Sequence, residues 1–211
     1  MTPGPEHAGV VRLVLGAFVL SCVLAGCVAA PAKRAERLAR DAGATRAVMH
    51  GERFDHVVFR RDAGAGDERL HVYIGGDGSA FLAPARVARD PTPRTHLGLR
   101  LMLADDADAA YVGRPCYHRL ADAPDCEPAL WTTDRYSEPV VRSTAAVVAR
   151  LVSDHAAPDV TLVGYSGGGV IALLVARRIP RVTTVVTLAA PLDTDAWTHA
   201  HGYTPLAGSI N

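Results

Sequence analysis

The sequence predicts an α/β fold, a mostly parallel sheet flanked by helices. Three observations carry that prediction. Short, near-continuous apolar runs, Val160-Thr161-Leu162-Val163 and Val182-Thr183-Thr184-Val185-Val186-Thr187-Leu188, have the length and composition of buried strands. An apolar helical segment, Val170 to Arg178, lies between them, so strand and helix alternate. The first run enters that helix through Gly164-Tyr165-Ser166-Gly167-Gly168, a glycine-rich turn with a serine at its centre. With 211 residues, 49% of them hydrophobic, the chain can build one domain with a real core.

The other elements follow in order. His56-Val57-Val58-Phe59 reads as a short strand and Asp62-Ala63-Gly64-Ala65-Gly66-Asp67 as a turn. Leu70-His71-Val72-Tyr73-Ile74 is the next strand, ending at Gly75-Gly76-Asp77-Gly78. Pro91-Thr92-Pro93 closes a loop before a helix over Leu97–Ala104, and Ala109-Ala110-Tyr111-Val112 is a third strand. Ser137-Glu138-Pro139 resembles a helix start, with Ser as cap and Pro in the first turn. That helix runs to about Ser153, with Val140, Val141, Ala145, Val148 and Leu151 forming its apolar face.

The N-terminus has a different character. Arg12 precedes an apolar run from Leu13 to Ala25 that ends Leu24-Ala25-Gly26-Cys27. The run is too short to span a bilayer as a helix and has the length of a signal-peptide core. An ordinary secretory signal or an uncleaved anchor would show the same run. The small residues before Cys27 resemble a bacterial lipobox, which implies residues 1–26 as signal peptide and lipidation of Cys27. The chain would then be anchored to a membrane on the periplasmic side of the cell envelope without spanning it. Val28 rather than Asp follows Cys27, which in Gram-negative relatives points to the outer membrane. The Ala-rich stretch 27–52, with Lys33, Arg34, Arg37 and Arg40, reads as a tether whose basic residues favour anionic headgroups or are simply solvated. The folded domain is expected over 53–211.

Composition and cysteine usage bound the function. The 22 basic and 22 acidic residues cancel, leaving no electrostatic footprint for nucleic acid. Removing Cys22 with the signal and Cys27 to lipid leaves Cys116 and Cys126, an even pair expected to bridge in an oxidising compartment. Two free thiols in a loop are the alternative. No Cys/His cluster has metal-ligand spacing, and no nucleotide motif GxGxxG is present, so no metal or cofactor is expected.

Strand, Gly-Tyr-Ser-Gly-Gly, helix is the context that a nucleophile elbow requires. On this motif the chain resembles the α/β-hydrolase superfamily over roughly residues 53–211. The resemblance implies Ser166 as nucleophile and an oxyanion hole from two backbone N–H groups. Gly167 matches the donor after the nucleophile. Asp77, in Gly75-Gly76-Asp77-Gly78 after an earlier strand, matches the second, although a plain glycine turn would look alike. Arg114-Pro115-Cys116-Tyr117 and Trp131–Ser137 resemble loops of exported bacterial members. They place a Cys116–Cys126 bridge beside the active-site mouth, with Trp131 and Tyr136 lining an acyl pocket or packing in the core.

A serine hydroxyl needs a base, and the base an orienting acid. The superfamily order is Ser, then Asp or Glu, then His after the last strand. After Ser166 the candidates are Asp193, Asp195, His199 and His201, and these histidines come before any further strand. Pro205–Asn211 resembles an interrupted loop, so the expectation is an N-terminal two-thirds of the fold with base and acid beyond residue 211. The function expected is a serine hydrolase of small ester or related acyl substrates. The alternative is a non-catalytic, membrane-anchored envelope lipoprotein that keeps the fold. Oligomeric state is not legible.

Overall fold

Residues 30–64, 68–83 and 85–210 are described by the computed structural model of the chain. The signal segment and Cys27 lie outside these residues, as does part of the 62–67 turn. In chain order the elements are α1 (Pro31–Asp41), β1 (Thr45–His50), β2 (Asp55–Arg61), β3 (Leu70–Ile74), β4 (Phe81–Ala83) and β5 (Arg86–Val87). There follow α2 (Leu97–Leu103), β6 (Asp108–Val112), α3 (Glu138–His155), β7 (Val160–Tyr165), α4 (Gly167–Ala176), β8 (Val182–Leu188) and α5 (Thr194–His201).

Among the described residues the main sheet has the order β1-β2-β6-β3-β7-β8. The block β6-β3-β7-β8 is parallel, whereas β1 and β2 join it antiparallel at one edge. Successive side chains on a strand point to opposite faces, and the core divides accordingly. Val58, Val72, Ile74, Ala110, Val112 and Leu162 share one cluster with apolar residues of α3 and α4. Their neighbours Val57, Phe59, Tyr73, Ala109, Tyr111 and Val163 share a second cluster with Ala35 and Ala39 of α1 and Leu99 and Met102 of α2. The sheet is therefore covered on both faces. The pair β4–β5 forms a separate small antiparallel sheet.

Two expectations need correction. The stretch 27–52 is not a tether from residue 31 onward, and the fold does not begin at 53. Residues 31–41 are an amphipathic helix whose Ala32, Ala35 and Ala39 are buried, and 45–50 are an edge strand paired with β2. Alanines at helical spacing bury little area each but let a helix approach closely, and a mostly exposed edge strand carries little alternation. The run 182–188 is a strand but not a buried one, with Val186 and Leu188 each 39% exposed. With β1 it is one of the two edge strands of the described sheet.

Histidine 56 is structural. It is fully buried, its Nδ1–H donating to the Gly113 carbonyl (2.9 Å) and its Nε2 accepting from the Ser143 hydroxyl (2.9 Å). Burial pushes its pKa down to about 4, which keeps it neutral while it joins β2 to α3.

Candidate active site

Strand β7 delivers the chain to Ser166 at the carboxyl end of the parallel block. Ser166 has φ 55° and ψ −135°, a conformation rarely adopted by residues with a Cβ. Two hydrogen bonds hold it there: its N–H donates to the Leu188 carbonyl (2.8 Å), and its own carbonyl accepts from Gly169 N–H (2.9 Å). Close approach of backbone explains the glycines. A methyl group on Gly164 would strike the Gly168 and Gly169 backbone, and one on Gly168 would strike the Ile74 carbonyl. Strands β3 and β7 and helix α4 thus meet backbone to backbone under the serine. Ser166 is half-buried, so its hydroxyl is held at an accessible bend.

The Gly75–Gly78 loop lies over this bend. A methyl on Gly76 would stand 2.8 Å from the Tyr165 carbonyl oxygen and 3.6 Å from Ser166 Cβ. Gly167 abuts the same loop through a side chain, since a methyl there would land on the Asp77 carboxylate. The structure therefore places Asp77 beside Gly167 and its loop over Ser166.

Sequence reasoning missed what holds Asp77. Its carboxylate accepts from Arg114 Nη1 (3.0 Å), Arg135 Nη1 (3.2 Å) and the Tyr136 hydroxyl (2.6 Å). Its backbone carbonyl accepts from the Tyr117 hydroxyl (2.8 Å). Arg114 also donates from Nη2 to the Arg135 carbonyl and lies over the Tyr136 ring. Burial first, then the adjoining Asp77 charge, raise the Tyr136 hydroxyl pKa, so it remains a donor. Arg114 is 1% exposed and Asp77 14%. Two guanidinium groups thus face one carboxylate, leaving one positive charge in excess beside Gly167.

The flanking loops serve this cluster. Cys116 and Cys126 are disulfide-bonded, with Cα atoms 5.6 Å apart, in the segment that carries Arg114 and Tyr117. Trp131 and Tyr136 do not line an acyl pocket. Both are buried, with Trp131 Nε1 donating to the Ala88 carbonyl (3.1 Å) and Tyr136 committed to Asp77.

No hydrogen bond joins the Ser166 hydroxyl to a histidine among the described residues. Asp193 caps α5, accepting from Ala196 N–H (2.8 Å), and His201 Nδ1 bonds the Trp197 carbonyl of the same helix. Among the described residues three His–Asp pairs lie elsewhere. His71–Asp105 (2.7 Å) and His155–Asp108 (2.8 Å) sit at the start of β3 and β6, the end of the parallel block opposite Ser166. His50–Asp55 (2.8 Å) is exposed on the outer strands, with β6 and β3 between it and β7. Among the described residues no group of three His, Cys, Asp or Glu could hold a metal ion.

No family model and no curated protein matches this chain. Solved structures do. An esterase of Pyrococcus furiosus matches in three crystal forms, two of them with a TM-score of at least 0.50. One gives a TM-score of 0.51 at 12% identity over 77% of this chain and 58% of that one. The other gives 0.50 at 13% over 77% and 56%. A proline iminopeptidase-related protein from Thermus thermophilus matches with a TM-score of 0.47 at 20% identity, over 77% of this chain and 51% of that one. The chain spans less than two thirds of the length of each of them. With its mostly parallel sheet, helices on both faces and a strained serine between β7 and α4, the chain has the α/β-hydrolase fold.

Proposed function

We propose that Ser166 is the nucleophile of a serine hydrolase acting on small-molecule esters or related acyl substrates. The observation that carries this reading is the left-handed Ser166 between β7 and α4, roofed by the Gly75–Gly78 loop. Ser166 Oγ attacks the substrate carbonyl, and the oxygen that becomes negative is met by the backbone N–H groups of Gly167 and Asp77. Such donors act on charge that develops in the transition state, each worth about 3–4 kcal/mol. The excess positive charge of Arg114 and Arg135 beside Asp77 favours the same oxyanion. The reading assigns the nucleophile and the donors to this chain and assigns base and acid to none of the described residues.

The proposal extends to location: Cys27 is the lipidated N-terminus of the mature protein, anchored in the cell envelope on the periplasmic side. The sequence before Cys27 supports it.

The test is labelling with a fluorophosphonate in protein expressed from its own gene, followed by peptide mapping. Expected is a label on Ser166 that vanishes in Ser166→Ala, with turnover of a simple aryl ester falling by about 10³-fold or more. An unlabelled protein, or labelling and turnover unchanged by Ser166→Ala, would overturn it in favour of a non-catalytic lipoprotein that keeps the fold.

A further inference from the structure

On the face of the sheet covered by α1 and α2 there is a cavity of about 370 Å³. That volume falls within the roughly 300–1,000 Å³ of small-molecule sites. Its polar lining is unusual in charge. Arg34 and Arg37 come from α1, and Arg94, His96 and Arg100 come from the loop before α2 and from α2 itself. Asp41 is the one carboxylate on the lining, and it is already paired with Arg40 (3.3 Å) outside it. None of the four lining arginines is ion-paired among the described residues. The nearby acid of α1, Glu36, instead pairs with Arg46 of β1 (3.4 Å).

Two further atoms lie in residues of this lining. His96 is 4% exposed, and its Nε2 is buried without a hydrogen-bond partner. Nε of Arg34 is likewise buried and unpartnered. A buried polar atom left without a partner is costly, and such atoms in native proteins call for an explanation. His96 also adopts φ 53°, a left-handed conformation, at the residue before α2. Four guanidinium groups around one void repel each other, and an anion between them offsets that repulsion. Their planar forks match the oxygens of a tetrahedral oxyanion, which accepts several charge-assisted hydrogen bonds at once.

We propose that this cavity is a binding site for a phosphate group, held by Arg34, Arg37, Arg94 and Arg100 with His96 beneath them. Free phosphate, a phosphomonoester and an anionic phospholipid headgroup share that chemistry. The site stands apart from Ser166 and does not rest on the hydrolase reading.

The test uses the full chain and the double variant Arg37→Ala/Arg94→Ala, whose residues are both exposed. Far-ultraviolet circular dichroism checks that the variant folds. Inorganic phosphate is titrated calorimetrically at constant ionic strength set with chloride. Expected is saturable binding that the double variant weakens by about tenfold or more. His96→Gln, which keeps a donor at this buried position, should weaken it less. Absence of saturable binding beyond chloride, or equal binding by the double variant, would overturn the proposal. A flotation arm separates the sources, with phosphatidylcholine vesicles made with or without phosphatidylglycerol. If the ligand is a lipid headgroup, the double variant loses the phosphatidylglycerol-dependent part of vesicle binding. If it is a soluble phosphate, vesicle binding is the same in both proteins while the calorimetric difference persists.

Discussion

Two arginine clusters in this chain obey opposite rules. Arg114 and Arg135 converge on Asp77 beside the Ser166 bend, with side chains 1% and 11% exposed. Arg34, Arg37, Arg94 and Arg100 converge on an open cavity, with no carboxylate partner of their own among the described residues. Burial accounts for the difference. A guanidinium withdrawn from water requires an opposite charge and acceptors within hydrogen-bond reach, and Arg114 finds the Asp77 carboxylate and the Arg135 carbonyl. A guanidinium on the surface keeps its hydration and tolerates like-charged neighbours. The first cluster is thus an internal brace with its counter-ion built in. The second is held open for a counter-ion from solution.

The sharpest way to break this contrast is to remove the built-in counter-ion. Asp77→Ala leaves Arg114 and Arg135 facing each other in the interior, and the expected loss is about 3–5 kcal/mol of unfolding free energy, read from urea denaturation. A loss below about 1 kcal/mol would mean that the pair is solvated after all and that the two clusters do not differ in kind.

Next in size is the disulfide, which belongs to the first cluster alone. Replacing both Cys116 and Cys126 by Ser frees the segment carrying Arg114 and Tyr117. It should cost about 2–3 kcal/mol by the same measurement. Phosphate titration of this variant should match the wild type, because the bridge braces the Asp77 loop and not the α1–α2 cavity. A parallel fall in phosphate affinity would show the two regions to be coupled.

The smallest effect is expected where the charges are uncompensated. Without phosphate, Arg37→Ala/Arg94→Ala should lie within about 0.5 kcal/mol of the wild type or slightly above it, since relief of repulsion offsets the lost hydrated contacts. A thermal midpoint several degrees lower would mean that these arginines hold the fold together.

Local signals account for what was readable beforehand. The Val160–Val163 run, the glycines around Ser166 and the short strand segments of β2, β3 and β6 are all contiguous. Each reflects a rule that acts within a few residues, strand burial or backbone clearance, whereas the expected Ser137 cap is not made: Ser137 stands at the N-terminus of α3 with its hydroxyl buried and without a capping bond. The Cys116–Cys126 pairing followed from parity once the N-terminal cysteines were set aside. Helix α1 was not readable in this way, because its buried face is made of alanines, whose small area gives a weak hydrophobic period.

By itself, then, the sequence determined the α/β class and the strand–serine–helix bend, while the meeting of the Gly75–Gly78 loop with Gly167 was expected only through the family resemblance. The first two depend on backbone conformation that local residue types restrict. Tertiary structure alone decided which side chains answer one another. Asp77 meets Arg114, Arg135 and Tyr136 across 37, 58 and 59 residues of chain, and no periodicity encodes a contact at such separations. The same holds for Arg34 and Arg94, which share a cavity because α1 and α2 pack on one face of the sheet. Only the fold determines how far each arginine is withdrawn from water, and hence whether it must carry its counter-ion with it.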